Sequence, residues 1–312
     1  MKMKVFLSVI LWAWVLTVGA KNIETRFDGK KITNDVFWNT AEGMPLYSQG
    51  GGIFRYPDPD TGRLRYYWYG VRYAEAVRYR EDPSVTYPAC TFEAVTCYSS
   101  DDLINWYYEG DVLTREEVDR YGRAGWVGRM GVAYLEAWNQ YVLVVQHDNG
   151  VLFALSHTPN GRFTWHRRIT MEKIIGTPNT GDQTVFVDED TRKPYLIYSY
   201  GRGRNRIYVS EIGIRDGQVD LLDCTQVFKG AGREGNCLFK YEGRYYMCAS
   251  NLYGWDSSFA YYMVANDIRG PYEPVNDMKI MPGCAEDYAH VTQTGFFYTV
   301  RGSRKETVVY CG

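Results

Sequence analysis

The chain has 312 residues, 45% of them hydrophobic and 23% charged, and 35 Lys and Arg against 37 Asp and Glu leave a net charge of −2. That balance excludes the clustered positive field of a nucleic-acid surface, and the apolar content excludes a wholly disordered chain. With 28 Tyr, 13 Phe and 31 Gly, the composition favours strands joined by turns.

At the start of the chain, Lys2 and Lys4 precede an apolar run from Val5 to Val18 that ends Val18-Gly19-Ala20. A cationic start, a short apolar middle and a small-residue exit form the pattern of an export signal. Residues 1–20 are therefore expected to be removed, leaving 21–312 to fold as one domain in a secreted or periplasmic protein. The run is short for a membrane span, and no later stretch reaches that length. The seven cysteines, Cys90, Cys97, Cys224, Cys237, Cys248, Cys284 and Cys311, are odd in number and show no metal-ligand spacing. Cys237 and Cys248 would meet across a hairpin turning at Glu242-Gly243. They fall there at a hydrogen-bonded pair, which suits a disulfide poorly, so reduced and half-buried thiols are expected.

From residue 50 onward one unit recurs: a glycine-rich or polar opening, an apolar strand, a turn and a tyrosine-rich strand. The copies are GGGIFRYPDPDTGRLRYYWYG, MGVAYLEAWNQYVLVVQ, QTVFVDEDTRKPYLIYSYG, NCLFKYEGRYYMCAS and TGFFYTVRGSRKETVVYCG, beginning near residues 52, 131, 183, 236 and 294. Their spacing is close to one propeller blade, and segments such as VTCYSSDDLINWYYEG and GVLFALSHTPNGRFTW supply outer strands. The expected fold is all-β, a five-bladed β-propeller. A Tyr- and Arg-rich insert, about Val71 to Thr96, lengthens blade one. Blade five has one hairpin before Gly312, so it is expected to be incomplete in this chain.

First strands of a propeller converge on a channel, so polar residues at their openings share one pocket. Those residues are Gln49, Arg129, Asp182, Glu234 and Gln293. Two carboxylates from adjacent blades suit glycosidic cleavage, where one acid protonates the leaving oxygen and polar partners hold it. The same residues also suit a purely structural role as satisfied polar groups. The basic GRGRNR stretch, 201–206, reads as a solvated hairpin turn, and His147, His157 and His166 read as surface or packing residues.

Taken in order, GGGI…YYWYG, CYSSDDLINW, GDQTVFVDED, EGNCLFKYEGRYYMCASNLYGWD and TQTGFF give the chain a resemblance to glycoside hydrolase family 43. Within that family it looks most like the exo-β-1,3-galactanase branch. The resemblance implies an exported, inverting hydrolase that removes galactose or a related sugar from polysaccharide side chains or ends. The alternatives are a carbohydrate-binding propeller without turnover, or an arabinofuranosidase or xylosidase of the same family. An oligosaccharide or polysaccharide is then the partner, with no nucleic acid, no membrane span and no required cofactor.

Carried over by position, Glu234 falls on the general acid and Asp182 on the aspartate that orients it and, by like-charge repulsion, raises its pKa. Gln293 falls on a glutamine near the anomeric carbon, where it would orient the attacking water across a gap of roughly 6.5–9.5 Å from Glu234. Trp255 falls on a tryptophan that lines the sugar pocket, and Gln49, Arg129 and Tyr253 complete the substrate-binding set. His290 stands where some members use a channel histidine to help hold a calcium ion. Two departures stand out. The blade-one opening, Ser48-Gln49-Gly50-Gly51-Gly52, lacks the usual base aspartate, leaving Asp35 or Glu42 upstream as alternative carboxylates. The blade-two opening reads Gly128-Arg129-Met130 where the branch has Glu-Arg-Pro. The insert, with Tyr73, Tyr79 and Tyr87, would either wall a sugar cleft or cover the propeller face.

Overall fold

Short β-rich runs between polar turns build antiparallel hairpins, and each hairpin buries one face only by stacking on the next. The computed structural model of the protein describes residues 31–34, 36–122, 125–252, 259–280, 293–302 and 306–311. The segment 1–20, Asp35, Tyr253, Trp255, Cys284, His290 and Gly312 lie outside the described residues.

Among the described residues four blades of a propeller are present, each a four-stranded antiparallel sheet. The first joins β1 (Gln49–Pro57), β2 (Leu64–Tyr73), β3 (Phe92–Ser100) and β4 (Tyr107–Thr114). The second joins β5 (Val127–Leu135), β6 (Gln140–His147), β7 (Gly150–Ser156) and β8 (Thr164–Ile169). The third joins β9 (Thr180–Val187), β10 (Pro194–Tyr200), β11 (Arg206–Arg215) and β12 (Gln218–Lys229). The fourth joins β13 (Glu234–Tyr241), β14 (Arg244–Ser250), β15 (Ala260–Ala265) and β16 (Lys279–Ile280). A two-stranded sheet follows, β17 (Phe296–Arg301) with β18 (Glu306–Cys311). The first strands neighbour one another in chain order, and β17 lies against both β13 and β1. There Phe296 packs on Phe54 at 5.5 Å between ring centroids, and Phe297 packs on Phe239 at 5.3 Å.

The expected insert is shorter than its composition suggested. Strand β2 runs on to Tyr73 and β3 starts at Phe92, leaving a connection that holds the short helix α1 (Ala76–Glu81). At the end of β2 the Tyr73 hydroxyl donates to the Val127 carbonyl of blade two at 2.6 Å. Other tyrosines make the same kind of stitch. Tyr56 donates to the Val132 carbonyl at 2.7 Å and Tyr69 to the Pro159 carbonyl at 2.6 Å. A buried ring needs a partner for its hydroxyl, and here the next blade's backbone supplies it. Burial pushes the Tyr56 and Tyr69 phenols well above their ordinary range. Cys237 and Cys248 are register partners, as the hairpin arithmetic required, and no disulfide joins the two. They are fully buried rather than half-buried, because Phe297 closes over that pair.

Between blades three and four, the buried Asp188 accepts the Tyr245 hydroxyl, and the Lys240 ammonium stands 3.3 Å from both carboxylate oxygens. Burial works to raise the pKa of this carboxyl. The Tyr245 hydroxyl, the Asp190 N–H and Lys240 outweigh it and hold the group below the ordinary aspartate range. A carboxyl depressed in the folded state stabilises the protein above its unfolded pKa and loses that contribution as pH falls through the folded value. Asp188→Asn is therefore expected to cost about 3 kcal/mol at pH 7. The gap between wild type and variant should narrow in urea unfolding at pH 3, and an equal gap at both pH values would contradict this account.

Candidate active site

Each of the four first strands begins with the same irregularity. In blade one, Gln49 pairs with Val71 and Gly52 with Tyr69, so two residues face one. The same two-against-one step occurs at Val127 and Met130, at Thr180 and Gln183, and at Glu234 and Cys237. The pairs inside these bulges are Gly50-Gly51, Gly128-Arg129, Gly181-Asp182 and Gly235-Asn236. A bulge breaks the ladder and re-aims a side chain. Arg129 and Asp182 therefore leave their strands at one position of the repeat, and Glu234 leaves from the residue just before its bulge.

These openings bring four of the five expected channel residues together. The Arg129 guanidinium sits 3.3 Å from Asp182 Oδ2 through Nε and donates through Nη2 to Gln293 Oε1 at 2.7 Å. With its oxygen committed to Arg129, the Gln293 amide donates through Nε2 to Glu234 Oε1 at 2.7 Å. Asp182 Oδ2 accepts the Gly235 N–H at 2.8 Å, and the Asn236 side chain donates to the Asp182 carbonyl at 2.9 Å. One carboxylate thus holds the backbone that carries the other. Ser250, the register partner of Glu234, donates to the Glu234 carbonyl at 3.1 Å.

Gln49 is half-buried at the start of β1, and among the described residues no hydrogen bond ties it to this circuit. Glu42 is exposed in a turn, outside the cluster. Gln293 contacts Glu234 directly instead of facing it across a gap that would hold a water. The expected like-charge pair is also differently arranged, because each carboxylate has a guanidinium beside it. The second one is Arg204, whose Nε lies 3.4 Å from Glu234 Oε2. Arg204 belongs to the GRGRNR turn, read from composition as merely solvated. The turn does follow Tyr200 as expected, but β10 runs antiparallel to β9, so it sits over the openings of the first strands. That topological rule could have flagged the turn; its letters could not.

Space explains both sequence departures. A Cβ on Gly51 would lie 1.6 Å from the Tyr69 carbonyl oxygen, so no side chain fits at that position of the blade-one bulge. A Cβ on Gly128 would lie 2.2 Å from Trp126 Cη2, so the tryptophan ring fills the place of a side chain there. A 330 Å³ pocket opens at the opposite ends of the first strands, lined by Phe54, Lys240, Phe297 and Tyr298 among others. Its lining contains neither Asp182 nor Glu234. Among the described residues no group of three or more His, Cys, Asp or Glu could hold a metal ion. Of the described histidines, His147 is buried and its pKa is lowered by that burial, and His166 Nε2 accepts the Val219 N–H at 3.1 Å.

Gly235 holds a left-handed conformation at φ +61°, and a Cβ there would lie 2.2 Å from the Thr294 carbonyl oxygen. Gly235→Ala is expected to lower stability by about 1–3 kcal/mol through backbone strain and displacement of the segment carrying Gln293. Thermal unfolding checks this, and a melting temperature equal to wild type would show that the bulge tolerates a side chain.

Residues 56–311 match glycosyl hydrolases family 43. In three dimensions the chain is similar to an exo-β-1,3-galactanase from Clostridium thermocellum, with 25% identity and a TM-score of 0.68 over 89% of this chain and 57% of that one. It shares its fold with a family-43 β-1,3-galactosidase solved with galactodeoxynojirimycin, at 22% identity and a TM-score of 0.68 over 89% of each chain. In sequence it is 28% identical, over 169 residues, to a β-xylosidase from Formosa agariphila, covering 47% of this chain and 27% of that protein. The chain thus spans little more than half of the galactanase and about a quarter of the xylosidase. The family match takes in most of the chain, with blades two to four and the carboxylate cluster inside it, and the protein belongs to glycosyl hydrolases family 43.

Proposed function

We propose that the protein is an exported, inverting glycoside hydrolase that releases galactose or a closely related sugar from the ends or side chains of a polysaccharide. The observation that carries this reading is the hydrogen-bonded circuit from Asp182 through Arg129 and Gln293 to Glu234, drawn from three blades and the β17 segment. Its galactose preference is supported by the likeness to the galactanase and the galactosidase. Export is supported by the pattern of residues 1–20. The two-stranded sheet acts as the inner half of a fifth blade, since β17 stands between β13 and β1.

Glu234 is the general acid in this mechanism. Gln293 occupies Oε1, so the proton for the glycosidic oxygen is carried on Oε2, the oxygen facing Arg204. Arg204, on an exposed turn, gives way to the incoming glycosidic oxygen. Asp182 holds the Gly235 backbone and so fixes where Glu234 points. Gln293 is a positioning residue, its amide oriented by Arg129 so that it always offers Glu234 a donor. As the glycosidic bond breaks, its electron pair takes the Glu234 proton. A water oxygen bonds to the anomeric carbon from the opposite face and releases its proton to solvent.

Product analysis with β-1,3-galactan, arabinan and xylan oligosaccharides tests the function, and galactose should be the released sugar. Glu234→Gln is expected to lower kcat on an unactivated glycoside by at least about 10²–10⁴-fold while leaving oligosaccharide affinity within a few-fold. Turnover within tenfold of wild type would remove Glu234 from the acid role. A wild-type chain that binds these sugars and releases none is a binding propeller instead.

A further inference from the structure

Trp126 is about half exposed, 49%, although it is close in sequence to Arg129, whose side chain is largely covered. Its place is fixed by its neighbours. Asp148 accepts the Trp126 N–H through Oδ1 at 2.7 Å and returns its own N–H to the Trp126 carbonyl at 3.0 Å. Its ring lies across Gly128, with Cη2 2.2 Å and Cζ2 2.7 Å from where a Cβ would be. The same absent Cβ would be 2.8 Å from Gln146 Oε1. Gln146 accepts the Arg129 N–H at 3.3 Å and donates to the Gly181 carbonyl, next to Asp182, at 2.8 Å. The indole therefore lies over Gly128, the chain neighbour of Arg129, whose guanidinium holds both Asp182 and Gln293.

We propose that Trp126 is a stacking platform for the sugar unit adjoining the one released, on the leaving-group side of the scissile bond. An exposed indole on a clamped backbone offers a flat apolar face at little ordering cost, and the C–H face of a pyranose is its complement. Its rim location, half in solvent while Glu234 and Asp182 are largely covered, places it outside the position of the cleaved sugar. Gly128 is part of the device, since any larger residue there would evict the ring. This inference rests on the hydrolase reading for its ligand class, and names a specificity-determining contact for it.

The test compares wild type, Trp126→Ala and Trp126→Phe on β-1,3-galactotriose and on an aryl β-galactoside, with far-UV circular dichroism to verify folding. Trp126→Ala should raise KM for the trisaccharide roughly tenfold to a hundredfold, with a loss in kcat/KM at least tenfold larger there than on the aryl glycoside. Trp126→Phe should recover most of it. Equal losses on both substrates, or no loss, would overturn the platform. Calorimetry with β-1,3-galactotriose, xylotriose and arabinotriose separates the two readings. If wild type binds a trisaccharide without cleaving it, the hydrolase reading falls. Trp126 is then judged on Kd, which Trp126→Ala should raise by the same factor. An unchanged Kd would overturn the platform alone, and a wild type that binds none of the three sugars would overturn both.

Discussion

A strand ladder that must accept two residues against one has to release a backbone pair, and the site depends on that release. At each bulge the glycine supplies room and the next residue leaves the plane of the sheet. Four copies of this step, around one ring of first strands, aim Arg129, Asp182 and the Glu234 segment at a common centre. The blades behind contribute stiffness. Their inner faces are filled with valine, leucine and tyrosine, and those rings tie one sheet to the next through hydroxyl-to-carbonyl bonds.

The cluster is balanced in charge. Two carboxylates face two guanidiniums, and a neutral amide stands between them as a relay of hydrogen bonds. Removing ions from water is costly unless each is paired and bonded, and this arrangement meets that condition. Because the Gln293 oxygen answers to Arg129, its nitrogen cannot turn away from Glu234 without breaking two bonds. Positional order at Glu234 is thus enforced from outside its own blade.

The hairpins, their turns and the all-β class were legible because alternation and turn residues are local signals. The turns at Asp58 and Asp188 illustrate this, each aspartate accepting the N–H groups of the second Asp and the Thr of a D-x-D-T stretch. The polar openings were legible as a set, but their two distinct positions in the repeat were not, since a bulge is a property of pairing rather than of one strand. Arg204 was hidden for a related reason: its partner lies in the next blade, and a basic turn looks alike whether it meets water or a carboxylate. Gly128 stood out as a glycine where the resemblance puts a glutamate, whereas the structure fills its space with Trp126, a relation between two residues that no single position shows.

The tyrosine stitches also give the molecule an optical property. Exposed phenols ionise near their ordinary pKa of about 10, with a change in ultraviolet absorbance. Tyr56 and Tyr69 are held in the neutral form far above that point for as long as the blades remain packed. In an alkaline titration the ionisation of these two phenols therefore accompanies the separation of blade one from blade two.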